Sequence, residues 1–554
     1  MGKHKRTQTR LKNSGYGEYG ASRTKRSLRG FSGNSTSPQN DIDPHNKTLR
    51  QRARALFIGG SPIATSAIRS LRTSVVGPGL HLHAQVDSEV LGLTYEEAAD
   101  LNRQLEREFE IWANDFEADI SGSNNFYDLQ QIALMSWRMS GDVFVAFATG
   151  KGTAWQPYTL RLKLIEADRV STPGDTLVNS ILTYGKTKDG NKIFDGVEVD
   201  KKTGRVVAYH ICNTYPGTIN NDEPQKWERV ERIGKATGLP NILHIFEAER
   251  PDQYRGVSAI APVIESVLQM GEYMKAEAVA ALLETYLTGY ITTDKAADAP
   301  IFGDAGATPP GMLGTNSGTG TADEEEEEER DLAALDPEPG VIKQLLPGES
   351  ITFNDPKRPG SNFDPFIRAL ATYIGAATEI PVDVLLKSYN SSYSASRAAM
   401  QDFWRKVMMD REAFATRFCG QVYAAWLAEA VAIGRIKAPG FFTDPAKHAA
   451  YLRHSWYGPT MPHLDPVKEA QAYKMMVEEG FITRTEAVER LTGRDFMQNA
   501  EQLERETEAL LPVLAMLNAA KAAKENTPTT EPPKQGENDN EEQQNSPEIL
   551  EPNS

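Results

Sequence analysis

NFDPFIRALATYIGAATEIPVDVLLKSYNSSYSASRAAMQDFWRKVMMDREAFATRFCGQVYAAWLAEAVAIG, residues Asn362 to Gly434, decides the fold. From Met400 onward apolar residues fall at Phe403/Trp404, Val407/Met408, Phe414/Ala415, Phe418, Val422/Tyr423, Trp426/Leu427 and Ala430. Steps of three and four sustained that far predict one amphipathic helix of roughly 50–60 Å, at about 1.5 Å per residue. A second apolar helix runs from Phe363 to about Glu379 and stops at Ile380-Pro381, where proline removes a backbone donor. Between the helices lies a polar loop, Lys387–Ser394, with Ser394 or Ser396 as the expected cap of the long helix. Helix, proline turn, polar loop and very long helix describe a structural core better than a catalytic pocket.

Working outward, Tyr95–Asp119 and Tyr127–Ser140 read as amphipathic helices, followed by an apolar strand from Asp142. From Thr48, Leu49, Ala53, Leu56, Phe57, Ala64, Ile68 and Leu71 share a helix face until Gly77-Pro78-Gly79 stops the pattern. Leu80–Ala84 alternates like a short strand and places His81 and His83 on one face. No Cys, His and Asp set accompanies them, so they read as surface residues and not as metal ligands. Residues 158–246 alternate apolar and polar, with hairpin turns at Asp189-Gly190 and Lys202-Thr203-Gly204. Helix resumes over Arg255–Tyr290, where Gly271, Ala276, Ala278, Ala280 and Ala281 would let another helix pack closely.

The 554 residues carry a net charge of −16, unevenly placed. Asp323–Asp331 holds eight acids and one arginine, and Glu525–Ser554 eight acids and one lysine; Met1–Gly30 holds nine Lys/Arg and one Glu. The rest of the chain stands at −10, the opposite of a broad DNA-gripping face. Met1–Lys47 reads as a disordered tail in preference to an arm that touches nucleic acid. Six consecutive glutamates, Glu324–Glu329, read as a solvated run and not as a calcium loop. Two distant cysteines, Cys212 and Cys419, exclude a disulfide framework and fit a reducing compartment. No secretory signal and no membrane span is expected.

Short catalytic motifs are missing. Ala148-Thr-Gly-Lys-Gly-Thr153 has Gly152 where a phosphate loop needs a hydroxyl, and reads as a hairpin turn. Gly256-Val-Ser-Ala-Ile260 lacks the last glycine of a nucleophile elbow. No residue is nominated as catalytic, cofactor-binding or metal-ligating, and no cofactor is expected.

The run YNSSYSASRAAMQDFWR (Tyr389–Arg405), after EIPVDVLL (Glu379–Leu386), resembles the lambda-type portal proteins of tailed bacteriophages. Blocks at Ala53–Asp87, Phe126–Phe147, His244–Phe246, Arg255–Ser266 and Trp456–Phe496 follow in the family's order. Their collinearity over roughly Gln51 to Leu510 carries the resemblance, since none is a sharp motif. The resemblance implies a ring, usually a dodecamer, at one capsid vertex. Double-stranded DNA enters and leaves through its centre, and the terminase large subunit, the major capsid protein and scaffold, and head-tail connector proteins dock on it. It implies a virion component assembled in the host cytoplasm, with no membrane partner.

The expected fold is α+β: a mostly helical portal fold of wing, stem and crown with an inserted β-rich module. The expected division is 1–47 basic arm, 48–157 N-terminal wing region, 158–250 clip-like β module, 251–290 stem helix and 291–340 acidic insertion. Then come 341–464 wing core with tunnel loop and long helix, 465–525 crown-like helices, and 526–554 acidic tail. For the loop before the long helix the resemblance implies a channel lining, with Lys387, Tyr389, Asn390, Tyr393 and Arg397 brushing DNA. A plain connection between two wing helices stands beside that reading. Two rivals have other signatures. A packaging nuclease or ATPase would hydrolyse nucleotide or cut DNA, and a cytosolic scaffold or adaptor would stay small in solution.

Overall fold

A computed structural model describes residues 35–174, 184–216, 224–286, 290–293, 349–352, 363–389, 392–461, 465–494 and 496–525, and scattered positions between 21 and 33. The chain forms two units, Met1–Leu464 and Asp465–Ser554. The acidic run Glu324–Glu329 and the acidic tail lie outside the described residues.

The first helices, α1 (Pro38–Asp41) and α2 (Asp43–Ala55), begin earlier than the apolar period from Thr48 suggests. The cause is local. Ser37 caps α1 by accepting from the Asn40 amide, and Pro38 and Pro44 supply helix-ready φ angles in the first turns. A π turn at Leu56–Gly60, kinked at Gly59, joins α2 to α3 (Pro62–Val75). Gly77 and Gly79 adopt positive φ, and a Cβ on Gly79 would stand 2.7 Å from that of Tyr127. The chain then enters β1 (His81–Ala84), which pairs antiparallel with β12 (His454–Tyr457).

After α4 (Ser88–Leu91), a capping box at Thr94 and Glu97 starts α5 (Tyr95–Ala113), and a second at Asn125 and Asp128 starts α6 (Phe126–Ser140). These helices build the aromatic centre of the unit. Phe109 of α5 lies 5.1 Å from Trp426 and 5.7 Å from Phe126, ring centre to ring centre, both edge-to-face.

The β layer has two antiparallel sheets. In the first, β2 (Asp142–Thr149) runs between β3 (Leu160–Glu166) and β9 (Ile242–Phe246). The second orders β4 (Tyr184–Lys186), β5 (Lys192–Phe194), β6 (Val197–Val199), β7 (Val206–Cys212) and β8 (Trp227–Glu231) consecutively. Its hairpin turns stand where sequence puts them: Gly190 and Gly204 take positive φ, and the Asp200 carboxylate accepts from the Lys202 and Thr203 amides. The run from Gly150 to Gly152 opens the ten-residue connection by which β2 and β3 form a hairpin. Phe144, Ile165, Val170, Val197, Tyr209 and Ile211 form a separate small core between the sheets.

Charged groups weld this layer to the helices. Arg50 of α2 pairs with Asp168 at 3.2 Å and Asp195 at 2.9 Å, and Arg255 pairs with Asp142 and Asp195. Both guanidinium groups are fully buried. Next to Arg255, Gly256 passes so close to Gly141 that a Cβ would come within 1.9 Å of the Gly141 carbonyl oxygen.

Past the Pro262 turn, α7 (Ile264–Tyr286) packs antiparallel on α8 (Phe363–Thr378), with Tyr273 against Phe363 and Phe366. Between them β10 (Tyr290–Thr293) and β11 (Glu349–Thr352) pair antiparallel, Tyr290 opposite Thr352. The short α9 (Val382–Leu386) leads to the long helix, Tyr393–Ala432. It is one continuous helix of about 60 Å, in two α segments, α10 (Tyr393–Phe414) and α11 (Gly420–Ala432), joined by a π turn at Ala415–Cys419. Ser392 precedes its first turn without a side-chain cap, so Ser394 and Ser396 lie inside the helix and cap nothing. Burial pushes the Cys419 thiol up, and Cys212 is buried too; neither is in a disulfide. A final short helix, α12 (Pro445–Tyr451), precedes β12.

Among its described residues the second unit has three helices and no strand: α13 (Pro466–Glu478), α14 (Arg484–Thr492) and α15 (Phe496–Glu525). Asp465 caps α13, Thr483 caps α14, and left-handed Gly493 ends α14. No described helix is long and apolar enough to cross a membrane.

Candidate functional site

The polar loop before the long helix is built by two left-handed residues. Helix α8 ends where Glu379 takes φ 57°, and the Ile380 amide turns back to donate to the Gly375 carbonyl at 2.9 Å. Gly375 is required there, because a Cβ would meet the Ile380 oxygen at 2.5 Å. One α-turn later Lys387 takes φ 54° and ends α9. Non-glycine residues avoid this region, and holding two of them there costs on the order of 1–3 kcal/mol each.

Helix α3 holds the loop in place. Ser66 donates its hydroxyl to the Leu385 carbonyl at 2.8 Å, and Lys387 Nζ donates to Ser70 Oγ at 2.8 Å. Ser66 and Ser70 are one turn apart, so a single helix face clamps α9 and the lysine. An open cleft of about 850 Å³ forms between α3, α9 and the start of the long helix. Its walls include Arg69, Arg72, Lys387 and Tyr389, with Met400 and Phe403 as an apolar floor. Among the described residues no carboxylate lines it.

Four of the five residues expected to act together fall within the described residues. Lys387 and Tyr389 line the cleft, and Tyr389 is 62% exposed. Tyr393 and Arg397 sit on the first turns of the long helix, where the Arg397 guanidinium donates to the Tyr393 hydroxyl at 3.4 Å. Asn390 lies outside the described residues. Sequence reading missed Arg69 and Arg72, which join the cleft from a helix over 300 positions upstream. A signal was available: Gly59–Ala84 contains no acid at all, so two arginines one turn apart have no local counter-charge.

His81 and His83 do share a face of β1, against carboxylates one turn apart on α5. His83 Nδ1 lies 3.1 Å from Glu106 and His81 Nδ1 3.7 Å from Glu110. Among the described residues no group of three or more His, Cys, Asp or Glu is placed to hold a metal ion.

The family model described as phage portal protein, lambda family, matches residues 24–411. Portal protein B of Escherichia phage lambda is 23% identical over 456 residues, covering 80% of each chain. The portal protein of Escherichia phage N15 is 23% identical over 492 residues, covering 87% of each. A chain from the neck of a native GTA particle superimposes with a TM-score of 0.41 at 15% identity, over 81% of this chain and 94% of that one.

Proposed function

The chain belongs to the lambda family of phage portal proteins, and from that membership we propose that its copies assemble into a ring at one capsid vertex. The ring, of about twelve subunits, is a conduit for double-stranded DNA during packaging and ejection. Terminase, capsid protein with its scaffold, and head-tail connector proteins dock on it. It works in the virion and is assembled in the host cytoplasm. The role is structural, and we assign it no catalytic residue.

One observation carries the self-assembly. The α7–α8 pair leaves Leu268, Met274 and Val279 on one helix, and Phe366 and Tyr373 on the other, between 47% and 61% exposed. Exposed apolar side chains on two packed helices fit an interaction surface. The site of Gly271 has no atom within 4 Å of its would-be Cβ, which leaves room for a close approach by a second backbone. Covering this face with a different face of the neighbouring copy, head to tail around a closed ring, removes it from water in every subunit.

Light scattering with negative-stain images tests the reading. Particles of about a dozen subunits with a central hole support it. A Met274→Asp/Val279→Asp variant should shift the mass toward small species while keeping its far-ultraviolet circular dichroism. A chain that stays monomeric and hydrolyses ATP or cuts DNA overturns the reading in favour of a packaging enzyme. A stable monomer without either activity points to an adaptor.

A further inference from the structure

We propose that the cleft between α3 and the Lys387 loop holds backbone phosphates of the DNA, with Arg69, Arg72 and Lys387 as its cationic set. The proposal rests on the portal reading and adds to it a specific site, half of which comes from the N-terminal part of the chain.

Charge is the first argument. Three cations share one cleft that no carboxylate among the described residues lines, in a protein of net charge −16. On the helix before, Arg50 and Arg54 are each locked to acids of the β layer. Arg69 and Arg72 have no carboxylate within ion-pair distance among the described residues. Uncompensated arginines in a concave wall concentrate the positive potential there.

Geometry is the second. Arg69 and Arg72 are three apart on α3 and so project on the same side. Lys387 faces them from the other wall, its ammonium fixed by Ser70 and its backbone fixed in the left-handed region. An ammonium has three protons to donate, and Ser70 takes one. Two remain for an anion. A lysine already held in position loses little freedom on binding, which is how a small site gains affinity. Guanidinium groups present paired donors that match phosphate oxygens, and the Tyr389 phenol at the rim adds another donor.

Size is the third. About 850 Å³ is far more than one inorganic phosphate fills, and it accommodates a phosphate with its flanking sugars. Three contacts give a grip that salt weakens steeply and that a motor overcomes. By counterion release, each phosphate neutralised contributes about 0.9 to the slope of log K against log salt.

The test uses the full chain and a fluorescently labelled 20-base-pair duplex, with anisotropy read across a sodium chloride series. Arg69→Gln/Arg72→Gln/Lys387→Met should flatten the slope by about 2 to 3 units. Lys188→Gln/Lys202→Gln, on β-sheet hairpins, should leave it unchanged. Arg69→Lys/Arg72→Lys should keep most of the slope, which separates lost charge from lost structure. An unchanged slope in the triple variant overturns the cleft. Displacement of the duplex by inorganic phosphate at equal concentration overturns it in favour of a free-anion site. Stronger displacement by hexaglutamate overturns it in favour of the chain's own run Glu324–Glu329. Images of the same preparations keep the two ideas apart: rings with an unchanged slope sink the cleft alone, and absence of rings in the unsubstituted protein sinks the portal reading.

Discussion

Arg255 Nε donates to Asp142 Oδ2 at 2.5 Å with neither side chain exposed to water, and the same guanidinium donates to the Val170 and Ala167 carbonyls at 2.9 Å. One side chain thereby joins the start of β2 in the first sheet, the approach to the second and the entry to α7. Arg255→Ala leaves Asp142 buried and uncompensated, which costs about 3–5 kcal/mol. A fall of the unfolding free energy by that amount, read from urea titrations, is expected. Arg255→Met/Asp142→Leu should lose less than the single change, because it removes both charges together.

Asp43 sits in the same network and is the member most affected by pH. Burial pushes its carboxyl up to about 7; Asp195 and Asp142 push the same way, and Arg255 and Arg50 oppose them. One carboxylate oxygen has no hydrogen-bond partner. The folded chain therefore holds a proton that the unfolded chain releases near pH 4. Stability from this group falls as pH rises from about 4 to about 7 and is flat above, a loss of at most about 4 kcal/mol. Asp43→Asn should be nearly neutral at pH 4 and clearly stabilising at pH 8 in thermal melts. A stabilisation of equal size at both values would refute this.

Arg411 closes the C-terminal end of α3. Its guanidinium donates to the Val75 and Ser74 carbonyls at 2.9 Å and to Pro459 at 2.6 Å, with no acid beside it. Burial pushes it down to about 10, so it stays charged at neutral pH. Arg411→Ala should cost about 2–4 kcal/mol through lost charge-assisted bonds and unpaired carbonyls. Arg411→Lys should recover less than half, since one ammonium does not span three oxygens in this arrangement.

Phe109 and Trp155 make a matched pair of aromatic tests. Phe109 is wholly buried among Trp112, Phe126, Tyr423, Trp426 and Trp456. Phe109→Ala should cost about 3–5 kcal/mol and shift tryptophan emission to the red. Trp155 is 91% exposed on the β2–β3 turn, and Trp155→Ala should change stability by no more than about 0.5 kcal/mol.

The long helix was legible because its apolar period runs unbroken through both α segments. Its π turn was not. One extra residue in a turn shifts the buried stripe only slightly, and Ala415, Phe418 and Cys419 within it remain apolar and buried. The turns at Gly190 and Gly204 were legible because glycine supplies the positive φ they need. The pairing of β1 with β12 was not, since four-residue strands from distant parts of the chain carry no mutual signal in one sequence. The same holds for Arg50 and Arg255, whose carboxylates arrive from the β layer. In the cleft, Lys387 and Tyr389 stood out in a polar loop. Arg69 and Arg72 looked like the ordinary wet face of an amphipathic helix until folding set the lysine opposite them.

The pairing of Tyr290 with Thr352 fixes the points where the chain leaves and rejoins the α7–α8 pair as neighbours on adjacent strands. Residues 294–348 are thus a graft position. A foreign domain whose own ends lie close together, spliced in their place, would enter and exit through an unchanged doorway. Each ring would then carry a full circle of identical reporters, one per subunit, addressed to a single corner of the capsid.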